Sequence, residues 1–176
     1  GFQTVSAEAA CGDISLAEMN WGSAAVVAHI DKIVLERGFG CKVSLVPGDT
    51  VPTFTSMVAE GQPDMAPEFW INAVRTPLDA AVKEGRLIEA AEILADGAVE
   101  GWWIPKFLPD AHPDIKTVED ALKHPELFPA PEDPSKAAVT NCPSGWNCQV
   151  STANLYKAIG AKDKGFELVD TGSAGG

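Results

Sequence analysis

The chain has 176 residues and carries 25 acidic against 13 basic side chains, a formal net charge of −12. Only three of the basic residues are arginines, and phosphate binding needs clustered Lys and Arg, so the composition argues against nucleic acid as a partner. No apolar run approaches the roughly 20 residues of a membrane span. Residues 1–10 lack the basic and apolar regions of a signal peptide, and their small side chains are typical of a stretch that follows a cleavage site.

The first half of the chain alternates short apolar segments with segments of helical periodicity. The pattern predicts strands at 13–20, 41–48 and 63–70, and helices at 21–40, 50–62 and 77–84. Gly38 is the expected C-cap of the first helix, and Pro52 and Gly61 are expected in the first turn and at the end of the second. Consecutive β-α-β units predict a parallel sheet with helices on its faces.

The second half begins with an extended-looking stretch, residues 88–107, that is interrupted by glycine and proline. A crossover between two lobes is predicted near residues 95–105. Beyond it the pattern predicts helices at 116–128 and 149–161 and strands at 137–141 and 166–172. We therefore expect two α/β lobes, 1–98 and 99–176, the second of them incomplete where the sequence stops at Gly176.

Four cysteines allow three disulfide pairings, and sequence alone does not choose among them. The spacing C-x5-C of Cys142 and Cys148 is neither a redox motif nor a usual zinc pattern, and it favours a short disulfide loop. Cys11 and Cys41, each at the edge of a predicted strand, would then form the second pair. Two disulfides require an oxidising compartment, which predicts a location outside the cytosol.

Signals for catalysis are missing. His29, His112 and His124 stand in no triad-like or metal-ligand spacing, and the sequence contains no G-x-S-x-G, P-loop or G-x-G-x-x-G motif. The carboxylates are numerous but scattered, so no catalytic pair stands out. The sequence therefore gives no positive indication of an enzyme.

Tryptophan is the residue type that stands out. Trp21, Trp70 and Trp146 each follow a predicted strand, and ligands of open parallel sheets bind at the carboxyl ends of strands. A cleft lined by indole rings has two interpretations. It is an apolar or sugar-stacking surface, or it is an aromatic cage whose ring faces attract a cation such as a quaternary ammonium.

Four segments carry a resemblance to a known family: DISLAEMNWGSA, GQPDMAPEFW, EGWWIP and above all CPSGWNC. The chain resembles, from Asp13 to Gly172, the substrate-binding proteins of ABC importers for glycine betaine, choline and proline betaine. The resemblance implies an α/β, two-lobe periplasmic-binding-protein clamshell of the type II kind, which closes on a trimethylammonium compound held in an aromatic cage.

The resemblance assigns cage roles to Trp21, Trp70 and Trp146. It implies that the backbone N–H groups of Asn147 and Cys148, at the start of a helix, bind the oxygen of the ligand. A fourth ring would come from Trp102 or Trp103, which point to opposite faces if the segment is extended, and the sequence does not say which. Glu68 either balances the charge of the cation or is a surface or helix-capping carboxylate.

Two departures from the family pattern bear on the ligand. Betaine-binding members often place a basic side chain on the carboxylate of the ligand, and neither Arg75 nor Arg86 is obviously at a cleft. This favours trimethylamine N-oxide or choline over glycine betaine. No cofactor is required, although some relatives bind calcium just before the cysteine turn. Glu132 and Asp133 occupy that place here, and calcium takes 6–8 oxygen ligands.

The favoured hypothesis is a binding protein without chemical turnover. It would be a monomer, periplasmic or extracellular in its mature form after removal of a signal peptide, that captures a small methylated amine and delivers it to an ABC permease in the membrane. The alternative hypothesis is an enzyme on a similar two-lobe scaffold, with the tryptophans as core residues and a carboxylate or cysteine in the cleft.

Overall fold

A computed structural model of the chain describes residues 11–172. Residues 1–10, which we expect to follow a cleavage site, lie outside the described residues, as does most of the terminal GSAGG. None of the helices formed by residues 11–172 combines the length and the apolar character needed to span a bilayer. The chain divides into two compact units, of which the first ends at Ala95 and the second begins at Asp96. That the two units form a clamshell remains a prediction.

The first unit is built on two parallel strands joined by a helix. Strand β1 spans Asp13–Met19, helix α1 spans Gly22–Phe39 and strand β2 spans Lys42–Gly48. The strands pair in parallel from Asp13 opposite Lys42 to Met19 opposite Gly48, as the alternating pattern predicts. One apolar cluster surrounds Leu16, and a second joins Ala17 and Met19 to Ala24 of α1.

The predicted end of α1 at Gly38 is wrong by two residues. The helix continues to Phe39, and Gly40 is the C-cap, with φ at 69° and its N–H donated to the carbonyl of Leu35. A left-handed cap strongly favours glycine, and the second glycine of the GFG sequence takes this role. Gly38 is therefore an interior residue of the helix. Cys41 follows the cap directly and is bonded to Cys11, so this predicted disulfide is confirmed.

The predicted third strand at 63–70 is reduced to a single bridge. Met65 lies beside Leu16 in the parallel direction: its N–H donates to the carbonyl of Ser15, and its carbonyl accepts the N–H of Ala17. Pro63 and Pro67 lack the N–H groups that a longer ladder would need. The segment nevertheless runs along the edge of β1 that β2 does not occupy.

Two further helices complete the first unit. Helix α2 spans Thr50–Glu60 and helix α3 spans Arg75–Lys83, preceded by a 3-10 turn at Asn72–Val74. The predicted helices at 50–62 and 77–84 are thus confirmed with shifted ends, and α2 ends at the predicted Gly61 cap. No helix or strand forms between residues 84 and 106, in keeping with the irregular stretch predicted at 88–107.

The second unit repeats the strand–helix–strand arrangement. Strands β3 (Ala137–Asn141) and β4 (Phe166–Asp170) pair in parallel, and helix α6 (Asn147–Ala158) connects them through a 3-10 turn at Ala161–Lys164. Two short helices come first, α4 at Phe107–Ala111 and α5 at Val118–Ala121. The core of the unit contains Leu122, Ala137, Ala161 and Phe166, covered by Tyr156 among others.

The predicted helix at 116–128 is wrong over most of its length. Only α5 is α-helical, and a 3-10 turn follows at Pro125–Leu127. His124, between the two, has φ −124° and ψ 58°, outside the helical region. A residue before proline is disfavoured in the α conformation, and Pro125 therefore ends the helical periodicity that the sequence displays.

Candidate functional site

Three donors of the first unit converge on one carboxylate oxygen. Oε1 of Glu68 accepts the indole N–H of Trp21 at 2.8 Å, the hydroxyl of Ser23 at 2.7 Å and the indole N–H of Trp70 at 3.3 Å. The Glu68 side chain is only 6% exposed. Its other oxygen, Oε2, is buried without a hydrogen-bond partner among the described residues. We call Trp21, Ser23, Glu68 and Trp70 the indole–carboxylate cluster.

The bridge between Leu16 and Met65 explains why these distant residues meet. Trp21 and Trp70 each lie five residues beyond that bridge along parallel segments. Both indoles therefore emerge at the carboxyl end of β1, where the expected ligand edge of a parallel sheet lies. Trp21 holds the N-cap position of α1 in an extended conformation, which turns the chain from the strand into the helix.

The backbone of Glu68 is strained. Its φ of 50° places it in the left-handed region, and it is the only residue other than glycine among the described residues with positive φ. Such a conformation costs a non-glycine residue on the order of 1–2 kcal/mol, and strained residues of this kind concentrate at functional sites. At this strained position the carboxylate contacts the two indoles and is buried from water.

In the second unit the Cys142–Cys148 disulfide closes a short loop, as predicted, with Cα atoms 5.8 Å apart. We call residues 142–148 the cysteine loop. Trp146 is the N-cap residue of α6, the position that Trp21 holds in α1. Gly145, with φ at 92°, supplies the left-handed turn immediately before it. Each unit thus places one tryptophan between its first strand and the helix that follows.

A buried amide links the cysteine loop to the EGWWIP segment. Asn147 is 3% exposed and donates through Nδ2 to both carboxylate oxygens of Glu100, at 2.6 and 2.7 Å. Glu100 lies two residues before Trp102 in the same unit. Trp102 is half-buried, whereas Trp103 is 81% exposed. The adjacent indoles therefore differ in burial, and which of them faces a ligand stays a prediction.

The start of α6 places two backbone N–H groups directly after Trp146 in the chain. Asn147 and Cys148 are the first two residues of this helix, whose N-cap side chain makes no capping hydrogen bond. The first N–H groups of a helix have no acceptor within the helix, and its dipole favours negative charge there. The arrangement is chemically suited to an oxygen atom with partial or full negative charge.

The predicted calcium ligands are not brought together with further acidic groups. The Asp133 carboxylate accepts the N–H and the hydroxyl of Ser135, and these hydrogen bonds lower the pKa of Asp133. Within residues 11–172, no group of three or more His, Cys, Asp or Glu side chains converges as a metal site would require.

The sequence pattern did not reveal two residues of these clusters, Ser23 and Glu100. Ser23 donates to Glu68, but its only sequence signal is its position two residues after Trp21. Glu100 binds Asn147, and its only signal is that it precedes the two adjacent tryptophans. Both are common surface residue types, and periodicity does not reveal a partner more than 40 residues away in sequence.

A comparison with known families gives one finding. A family model described as the substrate-binding domain of an ABC-type glycine betaine transport system matches residues 12–176. The matched range contains the indole–carboxylate cluster, the EGWWIP segment and the cysteine loop. No significant match was found among curated proteins.

Proposed function

We propose that this chain, which belongs to the family of substrate-binding domains of ABC-type glycine betaine transport systems, captures a small methylated ammonium compound in a tryptophan cage and delivers it to an ABC permease. The family consists of solute-binding proteins without chemical turnover. The candidate ligands are trimethylamine N-oxide, choline and glycine betaine.

The observation that carries the proposal is the state of the Glu68 carboxylate. Three donors occupy Oε1, while Oε2 is buried with no hydrogen-bond partner within residues 11–172. A buried carboxylate oxygen without a partner is costly, and a bound cation or hydroxyl would offset that cost. A quaternary ammonium suits this place because it needs a nearby negative charge but donates no strong hydrogen bond.

The two indole rings of the cluster supply the second interaction. Their N–H groups are both held by Glu68, which fixes the ring orientations before any ligand binds. A cation over the face of an indole gains on the order of 0.5–2 kcal/mol per ring, so several rings are needed to replace its hydration. Preorganised rings lose little conformational entropy on binding.

The second unit contributes Trp146 and one of the EGWWIP indoles to the proposed cage. Family membership and the N-cap position of Trp146 support its inclusion. We assign the remaining ring to Trp102, because Trp103 is 81% exposed. The amide N–H groups of Asn147 and Cys148 are proposed to bind the oxygen of the ligand. That the two units are the lobes of a clamshell is part of the same proposal.

The charges of the first unit favour ligands without a carboxylate. Arg75 is paired with Asp79 and Glu89, and Arg86 is paired with Glu84, so both guanidinium groups are engaged within their own unit. Glu68 adds a buried acidic side chain to the cluster. A carboxylate close to that cluster would be repelled, which ranks choline and trimethylamine N-oxide ahead of glycine betaine.

The disulfides fit an oxidising compartment, in agreement with an extracytoplasmic binding protein. We propose a periplasmic or extracellular monomer. All four cysteines are bonded, so no thiol is present to act as the nucleophile of an enzyme. The binding proposal therefore needs no reactive group.

Calorimetric titration of the oxidised protein with choline, trimethylamine N-oxide, glycine betaine and dimethylsulfoniopropionate tests the proposal. Trp70→Ala is expected to weaken binding of the preferred ligand by roughly 3- to 30-fold, the equivalent of one cation–π contact. The matched control is Phe107→Ala, which removes an aromatic ring that is 69% exposed. Absence of binding by all four compounds at millimolar concentration would overturn the proposal.

A further inference from the structure

The side-chain amide of Asn141 closes the cysteine loop a second time. Oδ1 of Asn141 accepts the N–H of Cys142 at 2.8 Å, and Nδ2 donates to the carbonyl of Gln149 at 3.3 Å. These two partners stand at the two ends of the loop, next to the disulfide that joins Cys142 and Cys148. The planar side-chain amide of Asn141 thus bonds to both ends of the cysteine loop.

The same amide also fastens the loop to the sheet. Nδ2 of Asn141 donates to Oδ1 of Asp170 at 2.7 Å, and Asn141 and Asp170 are register partners at the ends of β3 and β4. The carbonyl of Asn141 accepts the N–H of Thr171 at 3.3 Å. The disulfide fixes the distance between the loop ends but not the direction in which the loop leaves β3. The Asn141 side chain bonds to both ends of the loop and to the end of β4, and so constrains that direction.

We propose that Asn141 is the positioning residue that aims Trp146 and the first turn of α6, an inference that rests on the proposed function of the cysteine loop. The site needs one acceptor and two donors in a single planar group, which only an amide side chain offers. Asn141 is 3% exposed, so water does not replace a lost bond. Ligand affinity therefore depends on Asn141 even though it contacts no ligand.

Asn141→Asp is the sharpest test because it keeps the size and the acceptor for Cys142. It removes both donations and places a carboxylate against Oδ1 of Asp170. We expect choline to bind at least about tenfold more weakly, with both disulfides intact by mass spectrometry and the far-ultraviolet circular dichroism unchanged. The control is Asn154→Asp, the same chemical change at an exposed position of α6, which should leave the affinity within about twofold.

A mutant cycle with Trp146→Phe separates positioning from general stability. If Asn141 acts through the Trp146 ring, the fold loss of affinity in the double variant will be smaller than the product of the fold losses in the two single variants. Losses that multiply, or an Asn141→Asp protein that binds choline like the wild type, would overturn the inference. Should Asn141→Asp fail to fold, Asp170→Ala removes only the anchor to β4 and is expected to weaken binding about threefold; an unchanged affinity in that variant contradicts the inference.

A measurement without ligand keeps the two proposals distinguishable. The contribution of Trp146 to the near-ultraviolet circular dichroism is obtained by subtracting the spectrum of the Trp146→Phe variant from that of the wild-type protein. We expect this difference to fall by about half or more in the Asn141→Asp background, because the ring loses its fixed orientation. If no compound binds but the signal falls, the proposed function fails while the positioning role stands. An unchanged signal overturns the positioning role, whatever the ligand affinity.

Discussion

The indole N–H of Trp21 donates to Oε1 of Glu68 at 2.8 Å, across 47 residues of sequence. This bond joins the N-cap of α1 to a segment that follows a single bridge at Met65. Because Trp70 donates to the same oxygen, the carboxylate sets the orientation of both rings. Glu68 therefore has two separable roles, as the acceptor that orients the indoles and as the negative charge beside them.

Glu68→Gln separates these roles. The amide oxygen still accepts from Trp21 and Trp70, while the negative charge is lost. We expect choline to bind about 10- to 100-fold more weakly, and glycine betaine to lose less because repulsion of its carboxylate is relieved. Calorimetric titration with both ligands measures the ratio.

The control for this substitution is Glu60→Gln at the exposed end of α2, which should change neither affinity. A Glu68→Gln protein that loses equal affinity for both ligands would show that the carboxylate orients the rings but does not select the ligand.

We predict that the Cys11–Cys41 disulfide contributes more to stability and that the Cys142–Cys148 disulfide contributes more to ligand binding. Cys11–Cys41 spans 30 residues and Cys142–Cys148 spans 6, so chain entropy gives about 4 and about 2 kcal/mol of stabilisation, respectively. Only the shorter bridge borders Trp146. Replacing Cys142 and Cys148 with Ala should weaken ligand binding more, and replacing Cys11 and Cys41 should lower the free energy of unfolding of the first unit more.

Urea unfolding and calorimetric titration of both double variants test this dissociation. The prediction fails if the variant without Cys142–Cys148 binds choline as tightly as the variant without Cys11–Cys41.

The capping box of α5 gives the chain an acid-sensitive contact. The Asp120 carboxylate accepts from Lys123, from the Thr117 hydroxyl and from the N–H of Lys116, and these bonds hold the pKa of Asp120 at about 2, below its ordinary 3.8. A pKa lowered by folding contributes stability above the ordinary value. That contribution is lost as the pH falls from about 4 towards 2.

The melting temperature of the Asp120→Asn variant should therefore fall less between pH 4 and pH 2 than that of the wild type. The melting temperatures of wild type and variant are compared across that range, with the exposed Asp96→Asn as control. Parallel curves for wild type and Asp120→Asn would contradict the assignment.

Short-range patterns predicted much of this fold. The parallel pairing of β1 with β2 follows from two apolar segments flanking a helix. The spacing of Cys142 and Cys148 favoured, without settling it, the disulfide pairing that the structure shows. The failures arise where local chemistry overrides periodicity: Pro125 ends the helix predicted at 116–128, and Pro63 and Pro67 interrupt the strand predicted at 63–70.

The positions of the tryptophans at the ends of strands or bridged segments were predictable from the sequence, but their hydrogen-bond partners were not. Trp21, Trp70 and Trp146 follow strands or bridged segments, and that position is visible in the sequence. The bonds of Glu68 to Trp21 and Ser23 depend on contacts between segments more than 40 residues apart. The positive φ of Glu68 has no sequence signal, because glycine is the residue expected in that conformation.

Gly48 is predicted to couple packing to the ligand site. A Cβ atom at this position would lie 2.6 Å from Oγ1 of the buried Thr53 and 3.3 Å from Sδ of Met19. The Gly48 carbonyl also accepts the N–H of Asn20, directly before Trp21. Overpacking of this kind costs about 1–3 kcal/mol and displaces the backbone.

Gly48→Ala should therefore lower the free energy of unfolding by that amount and also weaken choline binding, because the displaced carbonyl moves Asn20 and with it the Trp21 ring. Gly38→Ala, within helix α1, is the matched control. Apart from adjacent residues and the helix backbone, a Cβ atom at this position has no neighbour within 4 Å among the described residues, and the change should stabilise the helix by about 0.5–1 kcal/mol. Urea unfolding and calorimetric titration measure both effects. If Gly48→Ala loses stability but binds choline normally, Trp21 is held by Glu68 and α1 alone, and the Asn20–Gly48 bond has no part in positioning it.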